Sequence, residues 1–513
     1  MSKGYKQCVQ EGWDLFHRGA LDELLINLHD TASRLIYQSD IGPLPLGMEE
    51  IDFLIEACGV KIAAQYRGKT YPKSSGELVI ATTLYAEGGH TALIGDLVAA
   101  CPEDTVKLCF PHPLDDENPV PPGALERTGL CSSKVMKIPG NSPSERILAA
   151  IEACLVQPPA RIHLFQHMHD VEAVAVAVAV ASITNAKIYM FHHADYSPTV
   201  GLYLKKARVI ELTERTAAFT RFNLGLSNQY LPLTCPDPGW RRKTFLRNGA
   251  VTTGMAVSAA KLFRRGLSGY GYLGVIIGLL KNTKGIHVHI GELPADLLAT
   301  IHSELLAAGV RKDRFQAVGR CESVAKIIEE RGVDVMLNSF PLPGARTSVE
   351  CMAAGVPMIW HGRYSQNNIR RSRMAYPTAL TWFHPDDLLE IIRNIDVDWC
   401  RNQGTMARKH WEKTHAPHLW QRFFQDPDHF EIELDEELST ELVTIWHSTF
   451  QHNQLLERAL EGDSGEIHRL KMEIIALKKK LSQGSLAQQK NRFPLLSRMV
   501  RALRKYFRSR KSY

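Results

Sequence analysis

Apolar positions in the first 75 residues recur at helical spacing. Trp13, Leu15, Phe16, Leu21, Leu24 and Leu28 form one series, and Ile51, Leu54, Ile55 and Cys58 form another, so residues 1–75 are predicted to be a helical N-terminal region. After Glu77 the pattern changes. Leu78–Ala81 is a continuous apolar run, Glu87-Gly88-Gly89 a glycine-bearing loop, and Ala92, Leu93, Leu97 and Val98 return to helical spacing. That succession predicts a strand, a loop and a helix. Runs at Val106–Phe110, Arg161–His167 and Lys187–Phe191 alternate with helical stretches at Ser144–Cys154 and Val171–Ala181. Such alternation marks a parallel sheet covered by helices, and residues 76–245 are read as one Rossmann-like domain.

A stretch rich in proline and aromatics, Leu231–Trp240, precedes a second series. Its predicted strands are Val251–Thr253, Gly285–Ile290, Arg314–Val318, Val333–Leu337, Val356–Trp360 and Ala379–Phe383. Helices fit between them at Tyr272–Leu280, Ala295–Ala308, Ser323–Glu330 and Ser348–Ala354. Residues 246–395 are therefore a second doubly wound α/β domain, followed by a helical closing region over 396–460 that carries Trp399, Trp411 and Trp420. The longest apolar run, Val171–Thr184, is shorter than the roughly 20 residues a helix needs to cross a bilayer, and reads as a buried helix or a strand pair.

Composition refines this picture in three places. Ten cysteines are scattered without a CxxC pair, which suits reduced thiols and argues against a disulfide frame or a structural zinc. The opening residues show no charged segment leading into an apolar one, so a cytoplasmic protein is expected. The net charge of +6 comes from the end of the chain: residues 474–513 hold twelve Lys and Arg and no Asp or Glu, leaving the rest near −6. Within 461–513, Ile467, Leu470, Ile474, Leu477 and Leu481 form a short heptad seam, so that 467–481 suits self-association. Beyond it, 488–513 mixes apolar residues with arginines, as an anionic membrane surface at the inner face would favour, with a solvated tail as the alternative. No nucleic-acid recognition fold accompanies this basic segment, and no nucleic acid is expected as a partner.

Asp334–His361 is the most informative stretch. A buried strand ends in a Pro/Gly loop, the loop leads through Gly344 and Arg346 to a helix start at Thr347 and Ser348, and Gly355-Val356-Pro357 stops the helix. A helix start offers N–H groups and partial positive charge to a phosphate. Thr347-Ser348-Val349-Glu350 reads equally as a capping box, with Glu350 returning to the helix start.

The loop, the small-residue helix and the Gly-Val-Pro strand resemble the donor-nucleotide loop of GT-B glycosyltransferases. The Thr-Ser pair after a glycine-containing loop is closest to O-GlcNAc transferases and the soluble bacterial protein N-glycosyltransferases. The resemblance implies two Rossmann-like domains facing a cleft and transfer of a sugar from a nucleotide-sugar donor, UDP-linked, to a protein or glycan acceptor, with no metal and no further cofactor. It implies that Thr347 and Ser348 bind the diphosphate, with Gly344 and Arg346 beside them, and that Glu350 holds the ribose. Retaining enzymes of this kind carry an additional glutamate where this chain has Leu342, and an inverting reaction is expected.

Further candidates sit at predicted strand ends, where α/β folds gather ligands. His90, after Gly88-Gly89, is a candidate general base, or else a helix cap. His193 and Asp195 form a His-Ala-Asp turn whose carboxylate would fix an imidazole tautomer, or else an ordinary loop. Thr253 ends a predicted strand and Gly254 opens the turn after it, and Arg320 offers a guanidinium fork for phosphate. His163, His167, His169 and Asp170 have metal-ligand chemistry but fall on alternate positions of a strand and at its end, and no metal site is expected there. Two other functions compete: a non-catalytic scaffold that binds nucleotide sugars, and, further off, a sugar-nucleotide epimerase, whose usual Gly-Thr-Arg-Pro opening is replaced here by Tyr85–His90.

Overall fold

The computed structural model describes residues 5–439 except 38–46, 87, 102–104, 112–119, 137, 194–197, 248, 258–270, 320, 341–343 and 363–372. The heptad seam and the basic segment lie outside the described residues. The chain divides into two compact units, the second of which begins at Pro238; among the described residues the chain returns to the first unit for 373–377 and again from Lys409.

The first unit is built on a parallel sheet of seven strands among the described residues, in the order β3-β2-β1-β4-β5-β6-β7. These are β1 (Glu77–Ala81), β2 (Val106–Cys109), β3 (Val135–Met136), β4 (Arg161–Phe165), β5 (Lys187–His192), β6 (Ala207–Glu211) and β7 (Asn228–Tyr230). Every residue of β1 is buried, as a strand covered on both faces requires. The Val/Ala run resolves as a helix, Val171–Thr184, with Asp170 capping its start by accepting from Ala173 N at 2.9 Å. Residues Val171–Ala181 are all buried, so neither face of this helix needs polarity. The helix Glu49–Ala63 lies against it so closely that a Cβ on Gly59 would fall 2.7 Å from Val178 Cγ1. The N-terminal helices thus share one core with the sheet.

The returning segment completes that sheet's environment. Trp420, Phe423 and Phe424 on the helix His418–Gln425 meet Phe191, Tyr189 and His163. Trp420 Nε1 donates to the Pro232 carbonyl at 2.8 Å, and Gln229 Nε2 to the carbonyls of Pro427 and Phe430.

Asp52, on the helix Glu49–Ala63, is fully buried and accepts from Gly201 N at 2.6 Å and Tyr203 N at 2.9 Å. Burial lifts its carboxyl from 3.8 to about 7, against the pull of those N–H groups. Between about pH 4 and 7 the folded state therefore holds a proton that the unfolded chain has released, and this group's contribution to stability falls as pH rises. Asp52→Asn is expected to abolish that slope, so its stability deficit relative to wild type shrinks from pH 4 to 7 in chemical unfolding; a constant deficit would show that Asp52 is ionised throughout.

The second unit carries, among the described residues, a parallel sheet of six strands in the order β10-β9-β8-β11-β12-β13. They are β8 (Thr252–Ala256), β9 (Ile286–Ile290), β10 (Phe315–Val318), β11 (Val335–Leu337), β12 (Met358–His361) and β13 (Leu380–Trp382). All six correspond to predicted strands, with one shift of consequence. The run expected to end at Thr253 continues to Ala256, so Gly254 is not a turn residue. Its missing side chain makes room for β11 instead: a Cβ there would lie 2.5 Å from Met336 Sδ. Asp334, just before β11, ties the unit's entry together. Its side chain, 2% exposed, accepts from Arg242 Nη2 at 3.1 Å, Leu246 N at 3.0 Å and Thr252 N at 2.8 Å.

Candidate functional site

In each sheet the strand order reverses once, between β1 and β4 in the first unit and between β8 and β11 in the second. Open α/β sheets bind ligands outside the carboxyl ends of the strands at such a switch point. The candidate residues are therefore judged by whether they reach that edge.

In the first unit β1 runs into Thr82–Gly88, and the helix Gly89–Ala100 begins there with Gly88 as its N-cap at φ 95. That backbone conformation favours glycine. Arg127 clamps the loop, donating to the carbonyl of Ala86 at 2.9 Å and to that of Gly88 at 3.2 Å. His90 is held by the end of β4: its Nε2 lies 2.8 Å from the Phe165 carbonyl. A carbonyl only accepts, so Nε2 carries the proton and Nδ1 keeps a lone pair. Nδ1 is buried and has no hydrogen-bond partner among the described residues. His193 repeats the arrangement one residue on, with Nε2 at 3.0 Å from the Gln166 carbonyl. The two rings meet edge to face at 4.7 Å. Burial lowers His90 to about 4, and burial together with the neighbouring imidazoles takes His193 well below its ordinary value. The first unit thus brings together two neutral imidazoles, each locked as the Nε2–H tautomer.

Asp195 lies outside the described residues. Asp170 accepts a 2.6 Å bond from Thr82 besides capping its helix. His163 turns to Glu77 at 2.7 Å and stacks on Tyr189. Among the described residues no group of three or more His, Cys, Asp or Glu is arranged to hold a metal ion.

In the second unit the helix Arg346–Ala353 starts beyond β11 with Ala345 as its N-cap, and no side chain caps it. The capping-box alternative is thereby overturned. Ser348 lies inside the helix, 1% exposed, and its Oγ donates to the Gly344 carbonyl at 2.7 Å while accepting from Asn338 Nδ2 at 2.7 Å. Asn338 also donates to the Gly344 carbonyl at 2.9 Å and accepts from Gly344 N at 3.0 Å. It closes the loop from 338 to 344, a task invisible in the sequence because it depends on a contact across the turn. Glu350 accepts from Val324 N at 3.2 Å, the first N–H of the helix Val324–Arg331, and lies 3.5 Å from Arg346 Nε. Gly344, Arg346 and Thr347 are partly exposed around this helix start. Thr253 and Gly254 are not at the edge: both lie within β8, Thr253 being 2% exposed and 2.9 Å from His287 Nδ1. Arg320 lies outside the described residues. No helix among the described residues is long and apolar enough to cross a membrane.

No protein-family model and no curated protein sequence matches the chain. Solved structures do. A glycosyltransferase from Rickettsia africae aligns with 69% of this chain and 97% of its own, at 12% identity and a TM-score of 0.50. HepE of Anabaena in complex with UDP covers 69% of this chain and 99% of its own, at 12% identity and a TM-score of 0.49. An O-GlcNAc transferase variant of Thermobaculum terrenum covers 88% and 85%, at 13% identity and a TM-score of 0.40. At such identities the likeness shows the fold, GT-B with two Rossmann-like units, and the chemistry rests on the residues.

Proposed function

We propose that the chain is a metal-independent, inverting glycosyltransferase that moves a sugar from a nucleotide sugar, UDP-linked, to a protein or glycan acceptor and needs no further cofactor. The observation that carries this reading is the tautomer lock on His90 at the switch point of the first unit. An imidazole held neutral, with a buried lone pair at a ligand-binding edge, is a general base in waiting.

In this mechanism the acceptor oxygen or nitrogen attacks the anomeric carbon and gives its proton to His90 Nδ1. The bond from that carbon to the diphosphate breaks as the new one forms, and the nucleoside diphosphate leaves with the electron pair. His193 holds the acceptor beside His90, and Asp195 is the alternative base for the acceptor proton. In the second unit the N–H groups and Thr347 hydroxyl at the start of the helix Arg346–Ala353 meet the leaving diphosphate, with Arg346 and Arg320 as cations. Ser348 supports that helix start from within through its bonds to Gly344 and Asn338. Glu350 receives the ribose. The chain is cytoplasmic, self-associates through 467–481 and meets the inner membrane face through 488–513.

The test is a thermal-shift and calorimetric screen against UDP, GDP, CMP, TDP and their sugars. Selective stabilisation by UDP is expected, and Glu350→Ala should weaken it about tenfold, as loss of a hydrogen-bonded charge does. A variant that binds UDP as well as wild type would reduce Glu350 to its bond with Val324. Nucleotide-sugar binding without transfer to any acceptor would favour the non-catalytic scaffold.

A further inference from the structure

Strand β9 carries His287 and His289 at alternate positions, which puts both rings on one face of the sheet. Both are fully buried. They belong to a row of polar groups crossing the interior of the second unit. Thr253 Oγ1 lies 2.9 Å from His287 Nδ1, His287 Nε2 lies 3.2 Å from the Tyr272 hydroxyl, and that hydroxyl lies 2.8 Å from His289 Nδ1. The last atom, His289 Nε2, is buried without a partner among the described residues. Burial keeps both imidazoles neutral, lowering His287 to about 3 and His289 to about 4.

A neutral row of this kind carries its protons in one of two directions. In the first, Thr253 donates to His287 Nδ1, His287 Nε2–H donates to Tyr272, Tyr272 donates to His289 Nδ1, and His289 Nε2 bears a proton. In the second every bond reverses, Thr253 donates to the Ile286 carbonyl at 3.3 Å, and His289 Nε2 becomes a lone pair. The bonds of the row are kept in both directions, and at its open end His289 Nε2 changes from donor to acceptor.

That atom stands near the carboxyl end of β9, beside the switch-point strand β8. It is 3.7 Å from where a Cβ on Gly291 would sit, and Gly291, at φ 134, is the first residue beyond the strand. A buried polar atom with no partner calls for a ligand or a water. A phosphate offers only acceptors, whereas the edge of a nucleobase offers donors and acceptors side by side. A row of reversible polarity suits the second.

We infer that His289 Nε2 contacts the base edge of the bound nucleotide, and that Thr253, His287 and Tyr272 are positioning residues that adjust its tautomer. The inference rests on the donor-nucleotide reading above. It is tested with the full chain by long-range 1H–15N correlation of the histidine rings, titrated with UDP and separately with inorganic pyrophosphate. The His289 signals are assigned by their loss in His289→Gln or, if that variant does not fold, by their displacement in Tyr272→Phe. UDP is expected to shift the Nε2 resonance of His289 and pyrophosphate to leave it in place, while Tyr272→Phe, which preserves ring volume, weakens UDP about tenfold. UDP binding with His289 unmoved, or an equal shift with pyrophosphate, overturns the inference and leaves the donor reading standing. No UDP binding by the wild type overturns both.

Discussion

Replacing His90 with alanine is expected to lower kcat by about a hundred- to ten-thousandfold, the usual worth of a positioned base, while UDP binding stays within a factor of two or so. The split follows from the reading of His90 as the group that takes the acceptor proton, with the donor nucleotide held by residues of the second unit. The pH profile adds an independent check. A base must be neutral to act, and burial takes His90 to about 4, below the ordinary 6.5. The acid limb of kcat/KM should therefore fall near pH 4, with activity flat from neutrality down to about pH 5. An acid limb near 6.5 would mean that a solvated imidazole, or another group, is the base. Wild-type turnover in His90→Ala would reduce His90 to its bond with the Phe165 carbonyl.

The largest stability effect is expected at Asp334. Asp334→Ala removes the acceptor of two backbone N–H groups and the counter-charge of Arg242, whose side chain is 5% exposed. Breaking a buried pair from one side costs about 3–5 kcal/mol, because the remaining charge is left in the interior. Urea unfolding should show that loss in the second unit's transition. The double variant Arg242→Met with Asp334→Leu should recover much of it, since the uncompensated charge is gone. A single-variant loss under 1 kcal/mol would show that water reaches Arg242.

How much of this was legible in the sequence depended on the element. In the second sheet β11 and β12 stand out because each is an apolar run bounded by glycine, proline or polar residues. β7 does not: Asn228-Gln229-Tyr230 is polar because its partners are Arg221 and the returning segment's carbonyls. Gly254 reads as a turn from its neighbours alone, and only the Met336 side chain on the next strand reveals it as a packing residue. The same limit applies to the site. His90 and the helix start after β11 are visible as motifs, since glycines and small residues mark them. Their chemical state is not, because it depends on the Phe165 and Gln166 carbonyls, on Arg127 and on Asn338, which the fold brings in from other parts of the chain.

The segment that returns to the first unit at Lys409 also sets the order in which the protein can be made. A ribosome releases the first sheet early, but Tyr189, Phe191 and the edge at β7 wait for Phe423, Trp420 and the carbonyls near Pro427, nearly two hundred residues later for Gln229. The second unit's sheet, which ends at Trp382, is fully synthesised before that cover arrives. The half that starts first is thus finished last, and its exposed aromatic face is the surface a chaperone would have to shield in the interval.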